Sequence, residues 1–359
     1  MRAAGAVLAV ALALTACDDN PVPLAPLTLT WQSVTMPPGG TIADLGFCAG
    51  RWYAAGAASG RPTAWTTTDF TAWTPVALTA TTPYGKQGSF VSVACRGTDV
   101  AALGSATGGI HGNPRVSTWR SRPDGGWTEI EASGYLYGGQ ESGSVDRMIA
   151  GPDGWLIIGH RVSPTTHQRG AAVWFAADGA TFQLVDDDPA LRSSPQSFTT
   201  AYDAAAVGDG WVLVGSAGSA IDPMPAAWAS DDGMHWRKTT VEASRPGAVE
   251  RVVAYPRSGV LGVGDGYSWL ATENAHDALD QIGRTCDGPV ASLAAADRTT
   301  VAVAGAALCA SVDGINWREV RPPGVPPSGG ALRVVAGGGR LVVTSLSSLW
   351  TTDATAIKP

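Results

Sequence analysis

Aromatic and basic side chains gather in six long segments that separate short apolar runs of this chain. The segments span residues 77–89, 105–117, 131–144, 160–171, 186–198 and 216–226. Long loops on a rigid scaffold are where binding residues concentrate, and aromatic side chains together with arginine suit contact with a protein or a glycan. The candidate binding residues are Tyr84, His111, Arg115, Tyr135, Tyr137, His160, Arg161, His167 and Arg169. The alternative is that these segments are merely exposed and variable.

Other common chemistries find no support in the residue pattern. The five histidines have no close metal-binding spacing and no Cys-x-x-Cys pair occurs, so we expect no metal site. Neither a phosphate-binding loop nor a dinucleotide-binding glycine pattern is present, so we expect no cofactor. The formal charge of −7 argues against nucleic acid as a partner.

A repeated motif organises the chain. An apolar run ends in glycine, and after it come a tryptophan, an Asp-Gly turn and a second tryptophan, as at Trp228, Asp232 and Trp236. The glycine recurs at Gly56, Gly104, Gly159, Gly215, Gly264 and Gly305, with Ser345 in the seventh place, so the mean step is (345 − 56)/6, or about 48 residues. A period of this size, with strand-like runs around tight turns, predicts a β-propeller.

The ends of the chain predict how the ring closes. Each repeat contains four short apolar runs, which fits a four-stranded propeller blade. The last repeat, from Leu332 onwards, supplies three runs, and the run that begins at Trp31 would supply the fourth and remove the open sheet edges. We therefore predict an all-β fold, a seven-bladed β-propeller over residues 29–359 whose last blade is closed by the N-terminal strand. Six or eight blades are the alternatives.

The tryptophans support a structural reading of the repeat. The chain has 14 tryptophans, and all of them fall in three positions of the repeat: at the start of the second run, on the third run, or at the start of the fourth. Such regularity predicts packing between sheets and not contact with a ligand.

The Asp-Gly turns resemble the Asp-box repeat, also called the BNR repeat, of the sialidase-like propellers. The residues that carry the resemblance are Asp69, Asp124, Asp178, Asp232 and Asp313, each followed by an aromatic residue three or four positions later. The family pattern has a step of five, so the match is loose. The resemblance implies that these aspartates are structural, with the carboxylate accepting backbone N–H groups within the turn. It also implies that they lie on the face opposite the usual ligand face.

The resemblance does not extend to sialidase chemistry. That chemistry needs an arginine trio, a Tyr/Glu nucleophile pair and an acidic aspartate, and the family's Arg-Ile-Pro signature is missing here. Tyr135, Tyr137 and Glu141 are neighbours within one loop, which is not how the family builds its nucleophile pair. We therefore assign no catalytic residue.

The first residues predict an address outside the cytoplasm. An apolar stretch from Ala3 to Leu14 is too short to span a bilayer but fits a secretory signal. Leu14 to Cys17 resembles a bacterial lipobox, so we predict a signal peptide at 1–16, a lipidated Cys17, and a proline-rich tether over 17–28. The protein would then be a bacterial lipoprotein on the outer surface of the cytoplasmic membrane. An ordinary signal peptide is the alternative.

Four further cysteines can form disulfides in such a compartment. Cys48 and Cys95 occupy the same place in neighbouring repeats, whereas Cys286 and Cys309 belong to the opposite face, so the pairs Cys48–Cys95 and Cys286–Cys309 avoid crossing the ring. Buried free thiols are the alternative.

These observations favour a binding function over catalysis. We expect a monomeric, membrane-anchored propeller that acts as a non-catalytic binding or assembly scaffold for an envelope protein or a glycan. The alternative is a glycoside hydrolase acting on cell-envelope or host glycans, which would need two carboxylates that converge on the loop face. A quinone- or sugar-oxidising propeller is a third, weaker hypothesis.

Overall fold

The computed structural model describes residues 25–108, 115–185, 187–255, 259–271, 278–296, 299–321 and 332–357. Nearly all regular structure is β-strand, because short runs of apolar and β-branched residues alternate with glycine-rich turns. The first fifteen strands are β1 Leu27–Thr28, β2 Gln32–Val34, β3 Gly40–Cys48, β4 Arg51–Ala58, β5 Arg61–Thr67, β6 Thr74–Pro75, β7 Leu78–Thr79, β8 Ser89–Arg96, β9 Asp99–Ala106, β10 Arg115–Ser121, β11 Trp127–Ile130, β12 Ser142–Gly151, β13 Gly154–Val162, β14 Arg169–Ala176 and β15 Gln183–Val185.

The remaining strands continue the same pattern to the end of the chain. They are β16 Phe198–Val207, β17 Gly210–Gly218, β18 Pro223–Ser230, β19 Arg237–Val241, β20 Arg251–Tyr255, β21 Gly259–Gly264, β22 Tyr267–Ala271, β23 Ala278–Arg284, β24 Val290–Ala296, β25 Thr299–Ala304, β26 Ala307–Ser311, β27 Arg318–Arg321, β28 Arg333–Gly337, β29 Arg340–Thr344 and β30 Leu349–Asp353. A single 3-10 turn, Ala354–Ala356, follows the last strand. Among the described residues, no helix has the length and apolarity needed to cross a bilayer.

The strands form a propeller, as the sequence predicts. In each repeat, consecutive strands pair antiparallel and lie side by side in order from the centre of the molecule to its rim. The inner strands are β3, β8, β12, β16, β20, β24 and β28; each contacts the next, and β28 contacts β3, so they enclose a central channel. The strand β2 pairs with β30, from Gln32↔Thr351 to Val34↔Leu349, so the N-terminal strand closes the last sheet as expected.

The expected number of blades is wrong. The described strands form six hydrogen-bonded sheets and not seven: five are blades of four or five strands, and the sixth is an eight-stranded sheet from β16 to β23. The physical reason is a parallel pairing between the outer strands β19 and β23, at Thr240↔Ala278 and Val241↔Leu279. This pairing joins two sequence repeats into one sheet, and the repeat pattern alone carries no signal for it.

Two further parallel pairings tie neighbouring sheets together at the rim. The segment β7 leaves the first blade and pairs with β11 of the second. The segment β1 pairs with β27 at Leu27↔Val320 and Thr28↔Arg321. Residues 27 and 28, expected in the tether, therefore already belong to the propeller. These pairings occupy outer edges that would otherwise be open to another chain.

A ring of polar side chains links the inner strands around the channel. We call Asp44, Ser92, Arg147, Asp203, Arg251, Ser292 and Arg333 the inner ring. Each of them lies 12 or 13 positions before the recurring glycine of its repeat, or before Ser345 in the last repeat, as in 56 − 44 = 12 and 264 − 251 = 13. They hold equivalent places on successive inner strands, and each reaches across to the next strand.

The inner ring satisfies backbone groups that face the gaps between sheets. Four of its members accept a hydrogen bond from the next inner strand: Asp44 from the N–H of Val93 at 2.8 Å, Ser92 from Met148 at 3.1 Å, Asp203 from Val252 at 3.2 Å, and Ser292 from Val334 at 3.1 Å. A buried N–H that lacks such a partner costs free energy comparable to a lost hydrogen bond. The side chains therefore replace the strand pairing that is missing between neighbouring sheets.

The arginines complete and close the inner ring. The guanidinium of Arg147 donates to Asp203 at 2.6 Å, and Nε of Arg251 donates to the carbonyl of Ala291 at 3.0 Å. Arg333 forms an ion pair with Asp44 at 3.7 Å, which joins the last inner strand to the first. Asp203 is 1% exposed, so its carboxylate is the most deeply buried charged group of the inner ring.

Bulges in the inner strands aim these side chains and explain the recurring glycines. The register shifts immediately before the ring residue in five inner strands, for example between Ile42 and Asp44 and between Ala201 and Asp203. A bulge re-aims the side chain that follows it. It also brings the inner backbone close to the next strand, so that a Cβ on Gly56 or Gly215 would lie 1.9 or 1.8 Å from a carbonyl oxygen.

Tryptophans and disulfides stabilise the packing between sheets. Eleven tryptophans are buried, and Trp31, Trp73 and Trp317 are partly exposed but pack against the same apolar clusters. Cys48 pairs with Cys95 and Cys286 pairs with Cys309, with Cα–Cα distances of 5.9 and 6.2 Å. These are the pairings that the sequence favoured.

Removal of an inner-ring carboxylate should destabilise the whole molecule. We expect Asp203→Ala to lower the free energy of unfolding by roughly 3 kcal/mol, because it strips Arg147 of its partner and leaves the N–H of Val252 unsatisfied. The matched control is Asp99→Ala, which removes a surface ion pair with Arg120 and should change stability by no more than about 0.5 kcal/mol. Urea unfolding followed by tryptophan fluorescence measures both. Equal stability of the two variants would contradict the role of the ring.

Candidate functional site

The two ends of the sheets differ in character. One end carries the tight turns between the third and fourth strands of the repeats, where the Asp-Gly turns lie. The other end carries the hairpins between the second and third strands and the long connections from one repeat to the next. We call this second end the loop face.

The aspartates of the turn end hold their own turns together. Asp178 accepts the N–H groups of Ala180 and Thr181, and Asp313 accepts those of Ile315 and Asn316, all between 2.7 and 2.9 Å. Asp69, Asp124 and Asp232 each accept the N–H of the residue two positions later. Every one of these carboxylates is engaged within its own turn, which agrees with a structural role.

These hydrogen bonds lower the pKa values of the turn carboxylates. The backbone N–H of Thr71 lowers the pKa of Asp69, and the Arg122 guanidinium lowers that of Asp124. Partial burial acts in the opposite direction at Asp178, Asp232 and Asp313, but the hydrogen bonds that each accepts outweigh it, so their pKa values also lie below the ordinary value. In return, the carboxylate of Asp232 raises the pKa of the exposed His235.

On the loop face, several candidate residues lie on strands and not in loops. The strand β13 extends to Val162 and the strand β14 begins at Arg169, so the loop between them is short. His160, Arg161 and Arg169 therefore lie on an extended hairpin. Arg115 is the first residue of β10. The strand boundaries therefore give these side chains a more fixed position than the sequence predicted.

A cavity of about 330 Å³ occupies the central channel, and a second one of about 300 Å³ opens on the loop face. Three stretches of chain line the second cavity: the connection before β8, the first half of β10, and the end of β11 with the connection after it. It contains Tyr84, Arg115 and Tyr137 from the candidate set, together with Glu129, which the sequence did not single out. We call it the loop-face cavity.

Hydrogen bonds fix both walls of the loop-face cavity. Buried Glu129 accepts the N–H groups of Thr81 and Thr82 at 2.7 and 2.8 Å and the hydroxyl of Thr82 at 2.5 Å, which fastens the first connection. Gly85 is needed there, because a Cβ would lie 2.1 Å from the Glu129 carboxylate. Nε1 of Trp174 donates to the carbonyl of Leu136 at 2.8 Å and fastens the second connection.

Arg115 and Tyr84 form the mouth of the cavity. The guanidinium of Arg115 lies over the ring of Tyr84, with 5.5 Å between the guanidinium carbon and the ring centroid, a cation–π geometry. Nε of Arg115 is buried and has no hydrogen-bond partner among the residues that the structure describes. Tyr84 is partly exposed, so one face of this pair is available to an incoming ligand.

Tyr137 lies deeper in the same cavity. It is 8% exposed and its ring packs against Trp174 at a centroid distance of 5.9 Å. Its hydroxyl is buried without a hydrogen bond of ordinary geometry, and the hydroxyl of Thr118 is its polar neighbour. Burial raises the pKa of Tyr137 above its usual value, so the phenol stays protonated. Because buried polar groups are normally hydrogen-bonded, leaving this hydroxyl unpaired is energetically unfavourable.

A second group of polar residues surrounds Ser144 on the same face. Ser144 Oγ lies 2.8 Å from Nδ1 of His160 and donates to Asp146 at 2.9 Å, and Arg169 donates to Ser144 at 3.3 Å. Asp146 approaches the same Nδ1 of His160, at 3.4 Å. A catalytic triad requires the serine and the acid on opposite ring nitrogens, so this group is not one.

The other candidates do not join a common site. Arg161 donates to the carbonyl of Gly138 at 3.2 Å, beside the loop-face cavity. Tyr135 is 80% exposed. His167 occupies a tight turn with φ of 56°. His111 and the lipidation candidate Cys17 lie outside the described residues.

Comparison with known proteins supports the fold only. No family model and no curated protein matches the chain. Two structures of YCF48 are similar, one from Cyanidioschyzon merolae (TM-score 0.58, 15% identity, covering 91% of this chain and 99% of that one) and one bound to D1 peptide (TM-score 0.60, 15% identity, covering 93% and 99%). Virginiamycin B lyase from Staphylococcus aureus is also similar (TM-score 0.57, 9% identity, covering 90% and 98%). Since such propellers include both binding proteins and enzymes, function has to be argued from the site.

The turn carboxylates should make stability depend on pH. Their pKa values are lower in the folded than in the unfolded chain, so their contribution is fully present above the unfolded value of about 3.9 and is lost as the pH falls through the folded values. We expect the urea midpoint to fall as the pH is lowered from about 5 to about 2. The variant D178N/D232N/D313N, which keeps an acceptor oxygen in each turn, should show a shallower dependence. An unchanged slope would contradict this assignment.

Proposed function

We propose that this chain is a non-catalytic binding scaffold that holds a segment of another protein in the loop-face cavity. The observation that carries the proposal is that both walls of the cavity are fixed by their own hydrogen bonds, through Glu129 on one side and Trp174 on the other. A site that is formed before its ligand arrives loses less conformational entropy on binding. Such pre-organisation is what a recognition surface requires.

The chemistry of the cavity favours binding over glycoside hydrolysis. Hydrolysis of a glycosidic bond ordinarily needs two carboxyl groups, one as acid and one as base or nucleophile. Of the described residues that line the loop-face cavity, Glu129 alone carries a carboxylate, and both of its oxygens accept hydrogen bonds from Thr81 and Thr82. A carboxylate that is occupied in this way serves the scaffold and not the substrate.

The similar structures offer an example of such a function without locating it. One YCF48 structure is of a complex with D1 peptide, and this chain covers 99% of that protein with a TM-score of 0.60. A propeller of this size and shape can therefore take a peptide ligand. The position of the site on the present chain rests on the loop-face cavity alone.

The proposed address follows from the N-terminal sequence. A lipid on Cys17, followed by a proline-rich stretch, would hold the propeller at the outer surface of the cytoplasmic membrane. Its partner would then be another protein of the cell envelope.

Site-specific photocrosslinking in the producing cells tests the proposal. We expect a photoreactive phenylalanine analogue at Tyr84 to give one defined protein adduct, because Tyr84 lies at the mouth of the cavity. The matched control is the same analogue at Ile315, a partly exposed residue of an Asp-Gly turn at the opposite end of the sheets. Adducts from Tyr84 only would support the proposal. Equal adducts from both positions, or none from Tyr84, would refute it.

A further inference from the structure

The loop-face cavity contains buried hydrogen-bond donors without a well-placed acceptor in the described part of the chain. Nε of Arg115 and the hydroxyl of Tyr137 both belong to residues that line the cavity, and neither makes a hydrogen bond of ordinary geometry with the described residues. Native proteins seldom leave buried donors unpaired, and each such donor calls for an explanation. Two such donors in one cavity point to a ligand group that accepts both.

Two acceptor side chains of the same cavity are already in use. Glu129 accepts hydrogen bonds from Thr81 and Thr82 through both oxygens. The hydroxyl of Ser117 accepts the indole N–H of Trp119 at 3.0 Å. With these two side chains engaged and two donors unpaired, the cavity favours a ligand that accepts hydrogen bonds.

The positive charge of Arg115 indicates that the accepting group of the ligand is an anion. With the described residues Arg115 forms no ion pair, and its positive charge interacts instead with the ring of Tyr84. Tyr137 is held in its neutral, protonated form by burial, so it donates and does not compete for the cation. A carboxylate fits this combination, because charge-assisted hydrogen bonds to carboxylates are the strong ones.

We propose that the loop-face cavity binds a carboxylate of a peptide, which accepts hydrogen bonds from Nε of Arg115 and from the hydroxyl of Tyr137. This inference rests on the binding function proposed above and gives that function its ligand chemistry. The carboxylate comes either from an acidic side chain or from a chain terminus, and both sources present the same group.

A peptide suits the cavity better than a sugar. Sugar hydroxyls need acceptors as well as donors, and the Glu129 carboxylate and the Ser117 hydroxyl already accept hydrogen bonds from the protein. Tyr84, Val116 and Ile130 provide apolar surface beside the donors, as an apolar side chain next to the carboxylate would require. The volume of about 300 Å³ lies at the lower end of ligand sites, which suits one side chain and its flanking backbone.

Two pairs of probe peptides test the inference on the full-length protein. Acetyl-Ala-Leu-Asp-Ala-amide is compared with its Asn counterpart, and acetyl-Ala-Leu-Ala with a free terminal carboxylate is compared with its terminal amide. The dissociation constants are measured by NMR titration. We expect the carboxylate member of one pair to bind at least tenfold more tightly than its neutral partner, and the pair that discriminates identifies the source of the carboxylate.

Conservative variants separate binding from folding. We expect Tyr137→Phe and Arg115→Lys to abolish the tenfold preference. Tyr137→Phe should not lower the melting temperature, because the hydroxyl makes no hydrogen bond of ordinary geometry with the described residues. The matched controls are Tyr135→Phe and Arg169→Gln, which alter the same residue types on the same face but outside the cavity and should keep the preference.

The outcomes distinguish this inference from the binding function on which it rests. Equal binding of both members in each pair, no binding of any probe at several millimolar, or a preference that survives Tyr137→Phe and Arg115→Lys would overturn the inference. So would tighter binding of a neutral oligosaccharide than of the carboxylate peptides. If crosslinking from Tyr84 persists in any of these cases, the binding function stands and only its ligand chemistry is wrong.

Discussion

The structure depends on how the inner strands satisfy the backbone groups that face the gaps between sheets. Neighbouring inner strands do not pair with one another, so their N–H groups need partners from side chains. The inner ring supplies them, from Asp44 to Val93 and onward around the channel, and the Arg333–Asp44 ion pair closes it. The bulges that aim these side chains press the inner backbone against the next strand, which is why glycine returns at Gly56 and Gly215. The most visible period of the sequence is thus a consequence of ring closure.

The inner ring fixes the centre of the molecule, so the repeats differ from one another at the rim and on the loop face. At the rim, parallel pairing joins β19 to β23 and turns two repeats into one eight-stranded sheet. On the loop face, the connections between the first three repeats are long, and Glu129 and Trp174 hold them in place around a cavity. The Asp-Gly turns lie at the opposite end of the sheets. Their carboxylates accept hydrogen bonds within the turn and have a structural role there.

The sequence predicted most features that follow from the repeat. They are the strands, the buried tryptophans, closure by the N-terminal strand, and the disulfide pairs, which follow from the face of the molecule on which each cysteine lies. The pairing of β19 with β23 does not repeat, so the blade count was wrong. The inner ring was missed although its signal is present, as a polar residue 12 or 13 positions before each recurring glycine and before Ser345. Of the nine candidate binding residues, Tyr84, Arg115 and Tyr137 meet in one cavity, and sequence spacing could not separate them from exposed Tyr135.

The central functional claim is that a carboxylate binds to the unpaired donors of the loop-face cavity. The Nε–H of Arg115 can report this binding directly. An arginine Nε–H can be observed in proton–nitrogen NMR spectra, and formation of a charge-assisted hydrogen bond moves such a proton downfield and protects it from exchange with water. We expect this change for Arg115 when a carboxylate peptide saturates the protein, and no change with the matched neutral peptide. If the Arg115 resonance stayed at its free position while the carboxylate peptide was bound, the claim would be contradicted.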